Sequence, residues 1–246
     1  MKHRNRLMQL MALNRTAPRE YRIEAAANSD EATIYLYDVI GYDWWTGDGV
    51  TAKQFAKDLQ GIKASTIHLR INSPGGDVFE GRAMVTAIQQ HPARVVAHID
   101  GLAASAASFV AMHADEIEIT DGAFVMIHNG WTLAMGDRHV MTETSALLAQ
   151  IDASIIDDYH AKTGKDREEL GAMMDAETWI NAADAVAMGF ADRLAAAQKD
   201  SGKKARAGSW NLSAYDHPPQ IDAAPNEDDQ QAACAERARR LALAVA

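Results

Sequence analysis

The sequence predicts an α/β fold assembled from repeated strand, turn and helix units. Two observations carry this reading. A β-branched run, a glycine-containing turn and a helical pattern follow one another twice, from Thr66 to Gln90 and again from Arg94 to His113. A further long helical pattern, from about His139 to Lys162, is too long to cover one small sheet alone.

The chain has 246 residues, of which 48% are hydrophobic, enough for a sizeable core in one large domain or two small ones. Its net charge of −10 disfavours general nucleic-acid binding, and there is no basic-aromatic array for that purpose. The single Cys234 cannot close an intramolecular disulfide, which fits a reducing cytoplasm. No apolar run reaches membrane-spanning length, and charges interrupt the opening segment MKHRNRLMQLMALNR. A non-secreted protein, free of the membrane, is the expectation. Histidines are scattered without HExxH or Cys/His spacing, so neither a metal nor a cofactor is expected.

Residues 1–29 begin basic, with Lys2, Arg4, Arg6 and Arg15, and then turn alanine-rich. Met8–Leu13 has the pattern of a short amphipathic helix, but the segment as a whole reads as a mobile or partner-contacting arm. A first strand is expected over Ala32–Ile40, closing at Gly41. Trp44, Trp45, Gly47 and Gly49 make a turn-rich loop. Its tryptophans bind a ligand, cover the core or fill a subunit contact, and the last two readings are preferred. Thr51 is placed to cap a helix running to Leu59.

A strand over Ser65–Ile71 runs into Asn72-Ser73-Pro74-Gly75-Gly76-Asp77. Pro74 restricts the backbone and two glycines open conformations closed to other residues, so the loop either presents amides to an anion or simply turns strand into helix. It matches neither GxxxxGK[ST] nor GxGxxG, and nucleotide binding is a weak reading. The following helix is expected over Val78–Gln90, before Pro92.

The stretch Val95–Gly130 is the centre of the chain. It reads as strand, tight turn at Gly101, small-residue helix from about Ser105, and two further strands around Ile117–Ile119 and Ala123–Ile127. A serine at the start of that helix stands beside unpaired amides and the positive end of the helix dipole, a good setting for a nucleophile. His128 closes the last strand, a rigid mount for a general base. Equally, small-residue helices serve as packing devices and strand-end histidines as structural residues.

Beyond the long helix, a second helix around Arg167–Met174 leads to Asp175-Ala176-Glu177-Thr178-Trp179-Ile180, and Asn181 opens a helix to Met188 that Gly189 closes. From about Gln198 the composition becomes that of a linker, with Pro218-Pro219 and Asn226-Glu227-Asp228-Asp229, before a helix-forming stretch over Gln231–Ala246. The expected organisation is a basic arm at 1–29, a globular domain at 30–196 and a linker with helical tail at 197–246.

INSPGG from Ile71, GLAASAAS from Gly101, FVMIHN from Phe124 and ETWINAADAVAMGFAD from Glu177 resemble, in order, the Clp protease proteolytic subunit (ClpP) family. They look closest to its phage-type members used as prohead or head maturation proteases. The resemblance spans about Ala32 to Ala195. It implies a ClpP/crotonase-like fold of repeated β-β-α units, the long helix being the handle that stacks rings, commonly of seven subunits. It implies a serine endopeptidase with Ser105 as nucleophile and His128 as base. Gly76 and Ala106 match the oxyanion-hole positions. Glu177 falls where the family's third residue usually stands, as an aspartate; Asp175 is the alternative acid. Familiar members carry methionine where Ala106 stands, a neutral departure because that contact is made by the backbone.

Amide hydrolysis requires these parts: a nucleophile, a base, an acid to orient the base, and donors aimed at the developing oxyanion. The expected substrate is a protein or peptide, with capsid or scaffold proteins as partners in the bacterial host cytoplasm or the assembling prohead. The alternatives are a degradative peptidase subunit working with a separate ATPase, a catalytically silent oligomeric assembly protein, and an acyl-CoA enzyme on the same fold.

Overall fold

The computed structural model describes residues 6–25, 30–43, 49–196 and 210–219. The Trp44-Trp45 loop, Cys234, the Gln231–Ala246 stretch and most of the expected linker lie outside them.

In chain order the elements are α1 (Arg6–Leu13), β1 (Glu20–Ala25), β2 (Glu31–Tyr37), α2 (Ala52–Gly61), β3 (Thr66–Ser73), α3 (Val78–Gln90), β4 (Arg94–Ala104), α4 (Ala106–Met112), β5 (Glu116–Ile119), β6 (Phe124–Ile127), α5 (Arg138–Thr163), α6 (Arg167–Asp175), β7 (Thr178–Asn181), α7 (Ala182–Ala187) and β8 (Arg193–Leu194). The strands form one sheet in the order β1-β2-β3-β4-β5-β8, with β6 on β4 and β7 on β6. Pairing is parallel from β2 through β5 to β8 and between β4 and β6; it is antiparallel between β1 and β2 and between β6 and β7. This is the mixed α/β, ClpP-like architecture expected from the sequence.

Period-two burial explains the layering. Ile34 and Leu36 of β2 and Ile67, Leu69 and Ile71 of β3 enter the main core with Phe55 of α2, Met84 of α3 and Phe109 of α4. Side-chain caps start the helices: Thr51 Oγ1 accepts from Gln54 N, and the Asp77 and Asn181 side chains do likewise for α3 and α7.

A second apolar cluster lies on the opposite face of the sheet's centre. Along β4, Ala103 belongs to the main core whereas Leu102 and Ala104 belong to the second; along β6, Val125 and Ile127 face one way and Met126 the other. Leu10 and Met11 of α1 and Trp210, Leu212, Ala214 and Tyr215 complete that second cluster. Segments read from the sequence as arm and linker are therefore packed here, and β1 extends the sheet beside β2.

Two local expectations change. Gly101 is not a turn: β4 continues through it to Ala104, because its first half pairs with β5 over Val96–Ile99 and its second half with β6 over Leu102–Ala104. The partner switch coincides with a register irregularity against β3 between Ile71 and Ser73. The other change concerns α5, whose 26 residues reach about 39 Å. Its first half projects, with Val140, Met141 and Leu147 exposed, but Ile155 is only 4% exposed and joins Tyr159 in the subunit's own core.

Candidate active site

Ser105 stands at the junction of β4 and α4, with φ 53° and ψ −124°, a conformation sparsely populated by residues other than glycine. Such a strained strand-to-helix turn lifts the side chain clear of the sheet, as nucleophile elbows do. The turn is held from both sides. Ser105 N donates to Met126 O at 2.9 Å, tying it to β6, and Ser105 O accepts from Ser108 N at 2.9 Å and from Ser108 Oγ at 2.6 Å. Ser108 Oγ is itself 2.6 Å from the Tyr159 hydroxyl of α5.

His128 follows the last residue of β6, and its Nε2 lies 2.8 Å from Ser105 Oγ. With Nε2 as acceptor, the serine hydroxyl donates and the imidazole is set to take its proton. His128 is 8% exposed. Ser105 is more open to solvent. The pair expected from sequence is thus in hydrogen-bond contact.

The glycine loop after β3 backs directly onto the serine. Gly75 has φ 91°, and a Cβ built on it would meet Ala104 O at 2.6 Å and Ser105 Cβ at 2.7 Å. Gly76 has φ 150° and a Cβ there would meet Ile40 O at 2.0 Å. Ile40 N donates to Gly75 O at 2.8 Å and Asp77 N donates to Ile40 O at 2.9 Å. A planar trans peptide sets its N–H opposite its C=O, so the bond from Ile40 to Gly75 O aims the Gly76 amide away from Ile40. Ala106, whose amide is the other expected oxyanion donor, is the first residue of α4, where the helix offers no carbonyl partner for it.

The two candidate acids differ in setting. Antiparallel β6 and β7 pair Ile127 with Thr178, and the next residues outward on the two strands are His128 and Glu177. Glu177 takes a left-handed φ of 48° and is 6% exposed. Its Oε2 accepts from Asp216 N at 3.0 Å, and its Oε1 accepts from His217 N at 2.7 Å and from Trp179 Nε1 at 3.4 Å. Asp175 instead accepts from Asn129 Nδ2 at 2.6 Å, at the surface.

Sequence reasoning missed Tyr215 and Trp210, which border this site from the far end of the chain. The Tyr215 ring stands edge-on to His128, centroids 5.6 Å apart at 88°, and its hydroxyl donates to Pro74 O at 2.6 Å. The available signal was the aromatic density of Trp210-Asn211-Leu212-Ser213-Ala214-Tyr215 inside polar surroundings.

A strained serine on a strand-to-helix turn, in contact with a buried histidine beside a two-glycine loop, is the arrangement of a serine hydrolase. Comparison with known proteins agrees. The Clp protease family model matches residues 29–198, well over half the chain. Over 129 residues the chain is 32% identical to the ATP-dependent Clp protease proteolytic subunit 1 of Chlamydia muridarum, covering 50% of this chain and 67% of that protein. It is 27% identical over 130 residues to the protein of the same name from Leifsonia xyli subsp. xyli, covering 52% and 66% respectively. The chain belongs to the Clp protease family and is a serine-type peptidase. Among the described residues, no helix is long and apolar enough to cross a membrane.

Proposed function

We propose that the chain is an endopeptidase that cleaves scaffold or head proteins during phage capsid maturation, through a Ser105-His128-Glu177 triad with the amides of Gly76 and Ala106 as oxyanion hole. The observation that carries the peptidase chemistry is the 2.8 Å contact between His128 Nε2 and Ser105 Oγ. Ser105 Oγ attacks the scissile carbonyl carbon while His128 Nε2 takes its proton and then returns it to the leaving amine; water hydrolyses the acyl-enzyme by the same route. Glu177 steadies the imidazolium, and the adjacency of Glu177 and His128 beyond the β6-β7 ladder supports it over Asp175. The phage assignment rests on the resemblance of the DGLAASAAS and ETW segments and on the long tails.

The subunits work as a ring in this reading, with α5 as the stacking handle and the bacterial host cytoplasm or the prohead as the site of action. Its globular domain is taken as residues 30–196, extended by the packed segments on either side. The second reading, a degradative subunit served by a separate ATPase, is favoured by the names of the relatives, which are ATP-dependent Clp protease proteolytic subunits.

Purified protein, its Ser105→Ala variant and candidate capsid and scaffold proteins decide between them. Cleavage without ATP or a second chain, abolished in Ser105→Ala, is the expected outcome. Cleavage that appears only with an unfolding ATPase favours the degradative reading, and cleavage by pure Ser105→Ala protein removes Ser105 as nucleophile.

A further inference from the structure

The segment at 210–217 contacts His128, Glu177 and the backbone that leads into the two-glycine turn. Trp210 Nε1 donates to Asn72 O at 3.1 Å and the Tyr215 hydroxyl donates to Pro74 O at 2.6 Å, so one carbonyl at the end of β3 and one in the glycine loop are held by residues far away in sequence. The Tyr215 ring stands edge-on to His128 and to Trp179, both at 5.6 Å between centroids. Asp216 N and His217 N donate to the Glu177 carboxylate. At its near end the segment is fixed to the residue that follows α1: Asn14 Nδ2 donates to Asn211 O at 2.9 Å and Asn211 N donates to Asn14 Oδ1 at 2.6 Å.

We infer that this segment is a strap that completes the active site, with Tyr215 as a positioning residue for both the base and the oxyanion loop. The inference rests on the peptidase reading above. Direction follows from where the contacts fall. Among the described residues, no hydrogen bond or ring contact of the strap reaches Ser105, which stays partly exposed, while Tyr215, 7% exposed, packs on the buried imidazole. An edge-to-face ring contact restricts rotation of the imidazole about its χ2 bond, which decides whether Nε2 meets Oγ. The bond to Pro74 O fixes the plane of the Pro74–Gly75 peptide, immediately before the peptide that carries the Gly76 amide. One side chain thus sets base and loop relative to each other.

Full-length protein is tested with a fluorophosphonate, whose rate of attachment to Ser105 reads nucleophile, base and oxyanion loop together without a chosen substrate. Tyr215→Ala, matched to wild type by near-ultraviolet circular dichroism and light scattering, is expected to label at least about 10-fold more slowly, since misplacements near 1 Å cost on that scale or more. Tyr215→Phe keeps the ring and loses the donor to Pro74, and is expected to fall between the two, a partial rescue that loss of bulk packing alone does not give. Wild-type labelling by Tyr215→Ala sinks the inference, and faster labelling does too, because the strap would then be a cover. If Tyr215→Ala fails to fold, wild-type labelling by Tyr215→Phe overturns it. A wild-type protein that does not label at Ser105 overturns the peptidase reading itself, and this inference with it.

Discussion

Gly75 lies against Ser105 so closely that a carbon added at 75 would stand 2.7 Å from the Ser105 Cβ, inside van der Waals contact. The loop and the serine turn therefore fit only as backbone against side chain. On the proposed function, the consequence is a catalytic requirement at a residue with no chemistry of its own.

Gly75→Ala is expected to abolish peptide cleavage and fluorophosphonate labelling while leaving Ser105 and His128 in the chain. The added carbon meets the Ala104 carbonyl at 2.6 Å, and the φ of 91° costs an alanine roughly 1–3 kcal/mol. A variant that labels at the wild-type rate shows that the loop relaxes without moving the serine.

Glu177→Gln is expected to lower cleavage by roughly 100-fold or more, and Asp175→Asn far less, because the proposed orienting carboxylate fixes the imidazole's tautomer and sets a negative charge beside the imidazolium that forms. Glutamine also turns one acceptor of the Asp216 and His217 amides into a donor. Measured rates in the reverse ranking move the acid's role to Asp175, which otherwise holds Asn129.

The proposed stacking role of α5 is tested on the helix's exposed half. Met141→Asp with Leu147→Asp, at positions 41% and 51% exposed, is expected to split the assembly into smaller species that remain folded. Ile155→Asp, inside the subunit's core, is expected to unfold the protein instead. Light scattering with circular dichroism separates the two; an unchanged mass for the double variant assigns α5 to some other use.

Stability is expected to fall on acidification before the carboxylates titrate. Burial, followed by the charges of Arg70 and His68, pushes the His98 imidazole down to about 4; it faces His68, Arg70, Asp100, Glu118 and Arg193. The unfolded chain takes up a proton near pH 6.5 that the folded chain refuses until about 4, so folding weakens as pH drops through that window. The melting temperature of His98→Asn should change less between pH 7 and pH 5 than that of the wild type, and parallel curves would assign the acid sensitivity to other groups.

Much of this was legible in the chain itself. Periodicity located α3, α5 and α6, and the caps Thr51 and Asn181 marked the starts of α2 and α7, since apolar faces and capping residues are local features. Ser105 and His128 lie within one stretch and their motifs are specific. What stayed hidden depends on distant partners: Gly101 is held extended by β5 and β6 on either side of it, and Ile155 is buried by neighbouring elements that helical spacing alone does not place. The strap was masked by its polar flanks, and the partners that bury Trp210 and Tyr215, at Asn72, Pro74 and His128, lie far back along the chain.

The strap also gives the peptidase a sense of time. Synthesis proceeds from the N-terminus, so Ser105, His128 and Glu177 leave the ribosome well before residues 210–217. A nascent chain of that intermediate length has its reactive groups but not the Tyr215 ring or the two amides that hold Glu177. On the inference drawn above, full hydrolytic power waits until residues 210–217 have been made and have folded back onto the site.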